Sequence, residues 1–514
     1  MPVPSVKFIK TDSSTQANIS QKRKVFYAGY FDKGSPNTFT PVYSILDFKT
    51  KFGKPIKENL NDWFLIYNYF QYNNKEIILS RCVGDDSINS SVSYPYKDFD
   101  IRIDNLTEFR GKQVISNRNI LRILARNPGS WGDDLTVAIF SRTELDLNKK
   151  IFKNLYAKDI QSLLSKDQYC VCVFQRDNLI EKYVIGNKND SCELINDNSN
   201  YIYIIFKPED YKCFDGNIHY VDGLKITADG NEPNNVNPVF YGSGCLKLSG
   251  GYSALPEIEN IENNYRTIGE SDDYIFDFIL ANENHPNAAI DLADTRGDCC
   301  AFIGVPHRTD PEEYIKKLKK SENAILYFGS KLQRNPFNNQ NIFVNCIGDI
   351  LGLRTYLINN SDLSESHCKT TYNFLNSLGL DINLTEIQIR DLYNQNINIV
   401  KKGYNGIYAL SENMLLGQKL TNQVIHYNLT RDCEELAKYY VFEHNDTLTR
   451  NDLASKIKEI CRKYKADNNI DDFKVICDIS NNPTPDVNLY LDVYYKPKFV
   501  VEEIHIRLQA VTKL

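Results

Sequence analysis

The chain has 514 residues, of which 42% are hydrophobic and 25% are charged, as in ordinary folded proteins and unlike disordered ones. Its 66 acidic and 60 basic residues give a net charge of −6, so no basic field points to nucleic acid as a partner. No apolar run reaches the roughly 18–20 residues of a membrane span, and the first residues lack the features of a signal peptide. We therefore expect a protein made in the cytoplasm, with no nucleic-acid binding and no direct membrane insertion.

The first 88 residues divide into a polar arm and a compact unit. In the arm, residues 1–24, Val6 and Phe8 alternate with polar neighbours as in a short strand. The unit that follows predicts a strand over 25–29, a helix over 60–72 and a strand over 76–81. Apolar residues of the helix recur at spacings of three and four, which gives it one apolar stripe. This pattern indicates an α/β layer.

The pattern changes between residues 89 and 240. Short β-type runs at 135–140, 169–174 and 201–206 are separated by turns rich in Asn, Asp and Gly. From residue 241 the α/β pattern resumes. We predict a β-rich domain over 89–240 inserted into a discontinuous α/β core domain made of residues 25–88 and 241–360.

The resumed α/β region contains apolar runs separated by helical patterns. The runs predict strands over 274–281, 299–305 and 324–328, and a helix over 343–357. A further helix is expected to begin at Thr309, because Glu312 lies three residues on, as in a capping box. Strands that alternate with helices predict a mainly parallel sheet with helices on its faces.

The C-terminal part is predicted to be an α+β domain over 361–499, followed by a strand or arm over 500–514. It should contain helices near 430–440 and 452–465 and strands over 473–478 and 488–495. The fold class is thus a multidomain mixture of α/β and α+β. The helix over 452–465 is basic outside its apolar face, which fits either a solvated face or a docking surface for an acidic partner.

The sequence lacks the motifs of common enzymes and metal sites. It has no phosphate-binding loop, no H-E-x-x-H and no G-x-S-x-G. Its thirteen cysteines include no C-x-x-C pair, and the seven histidines do not complete a zinc set, so we expect reduced thiols and no metal, cofactor or catalytic residue. Cys299 and Cys300, near His307, are interpreted as buried structural cysteines, and the acidic residues over 291–298 as a solvated helix end. A cytoplasmic α/β enzyme stays the less favoured alternative.

Several motifs, taken in order, resemble those of contractile bacteriophage (myovirus) tail sheath proteins. Each motif is weak alone, but together and in order they are specific; one precedes a predicted strand in the N-terminal half, and three lie in the C-terminal part. They are Asn127-Pro128-Gly129-Ser130-Trp131-Gly132, then Val441-Phe442-Glu443-His444-Asn445-Asp446, then Cys477-Asp478-Ile479-Ser480-Asn481-Asn482-Pro483, with Glu503-Ile504-His505-Ile506 near the end. His444 stands where the family usually has proline.

The resemblance implies a structural subunit that assembles with copies of itself. Sheath proteins stack as six-subunit rings around a tail tube, exchange terminal strands with neighbours, and contract to drive the tube through the host envelope during genome delivery. The residues implied in strand exchange are Val6, Phe8, Ile504, Ile506 and Leu508, which alternate with polar residues. We also expect the inserted β-rich domain to face outward and Lys456, Lys463 and Lys465 to face an acidic tube.

The implied partners are other copies of the chain, the tail tube protein, and the baseplate and tail terminator proteins. The implied location is the virion tail, with the host cytoplasm during assembly. The sheath of a tail-derived injection particle of the bacteriocin type fits the same motifs and stays open.

Overall fold

The structure is a computed structural model that describes residues 24–498, apart from 142–168, 186–191, 207–218, 227–244 and a few shorter gaps. The predicted arms therefore lie outside the described residues, except for Lys24. The predicted strand-exchange residues Val6, Phe8, Ile504, Ile506 and Leu508 also lie outside them. Among the helices that are described, none is both long enough and apolar enough to cross a bilayer.

Strands and helices alternate irregularly along the described chain. The strands are β1 (Val25–Gly29), β2 (Phe39–Val42), β3 (Ile77–Arg81), β4 (Ser91–Tyr94), β5 (Leu121–Ala125), β6 (Leu135–Ser141), β7 (Tyr169–Gln175), β8 (Asn178–Ile185), β9 (Ile202–Phe206), β10 (His219–Val221), β11 (Leu224–Ile226), β12 (Cys245–Lys247), β13 (Phe278–Leu280), β14 (Cys300–Gly304), β15 (Ala324–Phe328), β16 (Ser330–Arg334), β17 (Asn341–Asn345), β18 (Gly379–Leu380), β19 (Ile397–Lys402), β20 (Ile407–Ala409), β21 (Ile470–Ile476) and β22 (Asp492–Pro497). The helices are α1 (Ile45–Phe52), α2 (Leu60–Phe70), α3 (Leu106–Gly111), α4 (Glu193–Asn198), α5 (Ile258–Gly269), α6 (Pro286–Arg296), α7 (Pro311–Ile315), α8 (Ile347–Asn360), α9 (Glu386–Asn394), α10 (Leu420–Lys438) and α11 (Thr447–Ala466).

The largest sheet of the described chain has eight strands in the order β2-β3-β1-β13-β14-β15-β19-β20. The six strands from β3 to β19 run parallel to their neighbours, while β2 and β20 add antiparallel edges. Strands buried on both faces read as continuous apolar runs, and β1 and β14 do so. The predicted mainly parallel sheet is confirmed.

Helices cover both faces of this sheet. Successive residues of a strand point to opposite faces, so Tyr27 packs in one apolar cluster with α2 and α8, while Phe26 packs in another with α5 and α6. Cys300 and Cys299 divide between the same two clusters and are fully buried, as predicted for structural cysteines. The sheet and its two helical layers form the main core.

The main sheet extends further along the chain than the predicted core domain. β19 pairs in parallel with β15, from Leu326 opposite Ile397 onward, and β20 pairs with β19. Both strands come from the segment predicted as the C-terminal domain, so the boundary at residue 360 does not coincide with the edge of the sheet. The reason is that residues 397–400 of β19 are buried: Ile397, Ile399 and Val400 are apolar, and the Asn398 amide is hydrogen-bonded to backbone carbonyls.

Smaller sheets contain the β-type runs predicted over residues 89–240. β4, β5 and β9 form one sheet, and β12, β6, β7 and β8 form a second, with a shared apolar cluster between them. In the C-terminal part, β21 and β22 form a two-stranded antiparallel sheet that packs against α11. The division of the chain into domains stays a prediction.

Several predicted element bounds are wrong. The helix expected to begin at Thr309 is capped by Asp310, whose Oδ1 accepts the Glu312 amide at 3.0 Å, because Pro311 occupies the first helical position. α10 begins ten residues before the helix predicted at 430–440. Lys419 provides no side-chain cap there, and burial of the first turn stabilises the start of the helix instead. The strand predicted at 274–281 shortens to β13, and residues 343–345 of the predicted helix belong to β17. The strand predicted at 488–495 shifts to β22.

Candidate functional site

The first sheath-like motif, Asn127–Gly132, joins the β-rich region to the main core. It follows β5 and leads through a 3-10 turn, Ser130–Asp134, into β6. Gly129 has φ of +133°, and a Cβ there would lie 2.6 Å from the Asp32 carbonyl oxygen. Both the backbone conformation and this close approach require glycine. A Cβ on Gly132 would likewise lie 2.6 Å from the Ala125 Cβ.

Arg81, at the end of β3, connects this motif to the core. Its guanidinium is fully buried and donates hydrogen bonds of 2.7–2.9 Å to the Phe31, Asp32, Gly34 and Pro128 carbonyls and the Ser253 hydroxyl. Burial lowers the pKa of Arg81 to about 10, so it stays charged at neutral pH. The sequence analysis missed Arg81, whose only signal is a charged residue ending the apolar run of β3.

Two aromatic rings and a lysine pack beside the same junction. The Lys33 Nζ lies 4.8 Å from the centre of the Trp131 ring and 4.4 Å from that of Tyr201, and it donates to the Thr50 carbonyl at 2.8 Å. Burial lowers the pKa of Lys33 to about 8. Asn127 donates to the Ser35 hydroxyl at 2.9 Å. The motif therefore connects the β-rich region to the main core.

The second motif organises the start of α11. Asp446 is its N-cap and accepts the Thr449 amide at 2.8 Å. The Asn445 Nδ2 donates to the carbonyls of Asp486 and Asn488 at 2.8 and 3.0 Å. The Asn445 Oδ1 accepts from the Arg450 Nε at 2.7 Å. Asn445 thus ties the start of α11 to the loop between β21 and β22.

The third motif holds the same loop from its other side. Asn482 is buried, and its amide group exchanges two hydrogen bonds of 2.7 Å with the backbone of Tyr490. Asn481 donates to the Ile476 carbonyl at 2.9 Å and accepts the Asp478 amide at 3.0 Å. Cys477 packs in the apolar cluster under α11. The asparagines of both motifs therefore have a structural explanation that spacing alone did not provide.

Two residues of the second motif have no such internal role. Phe442 is 88% exposed and has φ of +75°, a backbone conformation that is uncommon for a residue with a side chain. Glu443 next to it is also exposed. Glu443 lines a groove of about 620 Å³ between the end of α10 and the start of α11, together with Leu436, Tyr439 and Leu448. This surface exposes Tyr439, Phe442 and Leu448 beside Asp452 and Lys456, and it is a candidate for contact with another protein chain.

The three predicted tube-facing lysines do not share one face of α11. Lys456 and Lys463 are about two turns apart and lie on the same side, whereas Lys465 is about two and a half turns from Lys456 and lies across the axis. Lys456 pairs with Asp452 at 2.8 Å, and Lys465 pairs with Asp472 at 2.8 Å. These intrachain partners reduce the charge that each of the two lysines offers to a tube.

The sheet of β21 and β22 has free outer edges within the described part of the chain. Each strand pairs with the other and with no further strand there. A two-stranded sheet is stable in water only when it is packed or extended, and this one packs on α11 through one face. Its edges present backbone amides and carbonyls to an incoming strand.

Other residues singled out in the sequence have ordinary partners. Asp291 pairs with Lys319, and Asp294 accepts from Ser321 and Asn323. His307 contacts the Asp381 carboxylate through Nδ1 at 2.9 Å. Asp298 pairs with Arg296 and Arg431, so the helix end predicted to be solvated is instead held by intrachain ion pairs.

No family model matches the chain. It is 24% identical over 441 residues to the tail sheath protein of Enterobacteria phage T4, and 22% identical over 453 residues to that of Vibrio phage KVP40. The alignments cover 73% and 75% of this chain and 62% and 64% of the two relatives. The chain thus spans less than two thirds of their length.

Solved structures show the same fold over nearly the whole chain. The sheath tail protein from Desulfitobacterium hafniense matches with a TM-score of 0.56 at 12% identity, covering 96% of both chains. The helical sheath of the anti-feeding prophage in its contracted state matches with a TM-score of 0.51 at 10% identity, covering 99% of both. The predicted sheath resemblance and mixed multidomain fold class are confirmed, while the exchange of terminal strands is untested.

Proposed function

We propose that this chain, a member of the contractile tail sheath family, is a sheath subunit that polymerises as stacked six-subunit rings around a tail tube. Contraction of this polymer would drive the tube through the host envelope during genome delivery. The observation that carries the proposal is the alignment over 73% of this chain with a phage tail sheath protein. The fold shared with a contracted helical sheath supports it. The role is structural, with no catalytic step.

We further propose that the terminal segments join neighbouring subunits. Val6 and Phe8 at one end, and Ile504, Ile506 and Leu508 at the other, have the alternation of half-buried strands. The free edges of β21 and β22 would receive such strands, since this sheet has only two strands of its own to complete it. Backbone hydrogen bonds would supply the affinity, and the alternate apolar side chains would set the register.

Contraction requires two packings of the same subunits that differ in free energy. Subunits would move as rigid bodies between the packings, with the exchanged strands as tethers. Energy stored during assembly would drive the change, without a nucleotide. Within the proposed subunit, the main sheet and the C-terminal region would form the lattice, and the β-rich insertion over 89–240 would face outward.

The proposed partners are copies of the chain, a tail tube protein, and baseplate and tail terminator proteins. The proposed location is the virion tail, with assembly in the host cytoplasm. The sheath of a tail-derived injection particle is the second candidate, because the anti-feeding prophage sheath shares the fold. In both cases the subunit would act by the same mechanism.

Electron microscopy of the purified chain tests assembly directly. Wild-type protein should form hollow striated tubes, and deletion of residues 1–20 should leave folded subunits that do not assemble. A matched pair of variants tests the other end: Ile504→Asp with Ile506→Asp should abolish tubes, whereas His505→Asp with Arg507→Asp, on the other face of the same predicted strand, should retain them. Tubes from the arm deletion or from the apolar-face variant would refute strand exchange. Monomers from the wild type in every condition would refute polymerisation.

A further inference from the structure

Three side chains with metal-binding atoms meet in the interior, next to the main sheet. His367 is fully buried, Glu412 is 4% exposed, and Cys368 is partly exposed. One donor atom from each lies within 4.8 Å of the other two. We propose that His367, Cys368 and Glu412 form a binding site for one divalent cation of the zinc class.

The distances between the donor atoms fit a shared cation after small side-chain movements. The Cys368 Sγ lies 3.7 Å from the His367 Nε2. Two ligands of one tetrahedral zinc ion are about 3.5 Å apart, given bonds of about 2.3 Å to sulfur and about 2.0 Å to nitrogen. On the other edge of the ring, the His367 Nδ1 lies 3.5 Å from the Glu412 Oε2. One cation takes only one ring nitrogen, so it would bind the unpaired Nδ1 together with Glu412, and the Cys368 side chain would turn toward that edge.

The chemistry of the donors selects the class of cation. A thiolate, an imidazole and a carboxylate suit zinc and its neighbours in the transition series, whereas calcium and magnesium take oxygen ligands. The His367 Nδ1 is buried and has no hydrogen-bond partner. An unpaired buried polar atom destabilises the fold, and a cation bound to Nδ1 would remove that penalty.

Neighbouring groups would orient the ligands. The Glu412 carboxylate accepts from the Ser366 hydroxyl at 2.9 Å and from the Thr421 hydroxyl at 2.5 Å. The Tyr327 hydroxyl lies 2.7 Å from the His367 Nε2, so it would accept the proton that Nε2 carries when Nδ1 binds the cation. Such surrounding hydrogen bonds typically affect metal affinity about 10–100-fold.

The charge balance of the site allows a dication. Binding would replace the Cys368 thiol proton by the metal, so a bond from sulfur to the metal forms as one proton leaves. The site then gains one net positive charge. The Arg354 guanidinium nearby opposes this gain, and the Glu412 carboxylate offsets it. A bound cation would link the segment after α8 to the segment before α10.

Metal content and cobalt spectroscopy of the full chain test the proposal. Protein purified without chelator should contain about one zinc per chain by mass spectrometry. Cobalt should give a thiolate charge-transfer band, which Cys368→Ala abolishes. Cys346→Ala, which removes another buried cysteine of the same apolar cluster, should keep both the band and the metal. Thr421→Val should weaken cobalt binding at least about tenfold.

A wild-type chain that retains no zinc and shows no cobalt–thiolate band would overturn the proposal, whatever the folding of the variants. A band of equal strength in Cys368→Ala would also overturn it, since another cysteine would then hold the metal. Neither measurement depends on tube formation. The site and the sheath function can therefore fail separately.

Discussion

Replacing Asn482 with alanine should loosen the loop that joins β21 to β22. The Asn482 side chain holds the backbone N–H and C=O of Tyr490 through two hydrogen bonds of 2.7 Å. Each neutral hydrogen bond contributes about 1 kcal/mol to stability, a net value that already includes the hydrogen bonds water makes to the same groups. The free energy of local opening should therefore fall by about 2 kcal/mol, which corresponds to about a 30-fold faster exchange.

Hydrogen exchange read by mass spectrometry measures this effect on peptides that contain Tyr490. The control is Asn488→Ala, which makes the same change at an exposed position of the same loop. The Asn488 backbone carbonyl accepts from Asn445, and this hydrogen bond is kept when the side chain is replaced. Exchange in Asn482→Ala within about twofold of the wild type would refute the reasoning, as would an equal acceleration in Asn488→Ala.

Three further predictions concern other parts of the chain. Arg81→Leu should lower the free energy of unfolding by about 3–5 kcal/mol in denaturant titration, because it leaves buried carbonyls unpaired. Arg81→Lys should lower it by about 1–3 kcal/mol. Equal stability of Arg81→Leu and the wild type would contradict this prediction. Burial, with the Asp62 charge as the second cause, raises the pKa of Glu283 to about 7. Since the folded state then holds a proton that the unfolded state loses near pH 4.5, stability should fall as pH rises from about 4.5 to 7, by up to about 3 kcal/mol. Glu283→Gln should flatten that dependence in thermal scans at stepped pH, and an unchanged slope would count against it. Reversing Lys456 and Lys463 to Glu should weaken sheath attachment to the tube more than reversing Lys465, as measured by sheath-on-tube yield, and equal yields would dispose of the tube-facing assignment.

The helices and buried strands were largely predictable because their signals are local. α2 carries its apolar residues at helical spacing, and β15 is an apolar run bounded by polar residues, so both appeared close to their predicted positions. α10 was misplaced because its first turn, with Leu420 and Thr421, is stabilised by burial in the main core rather than by a capping residue. Local patterns do not contain that contact.

The candidate sites were also predictable only in part, where their signals are local in the sequence. The motifs with Asn127, Asn445 and Asn482 could be located in the sequence, but their roles appeared only when the fold brought Pro128 to Arg81 and Asn482 to Tyr490. The cluster of His367, Cys368 and Glu412 has no sequence signal, since Glu412 is far from the other two along the chain.

The sequence by itself determined the class of the protein: a folded, weakly acidic chain with ordered sheath-like motifs and alternating apolar residues at its ends. The tertiary structure decided which residues fasten the β-rich region to the core, and which edges are open to another strand. It also showed that Lys456 and Lys465 pair with Asp452 and Asp472 of the same chain. The physical reason is that periodicity reports which face of an element is buried, whereas partners distant in the chain are set by how the elements pack.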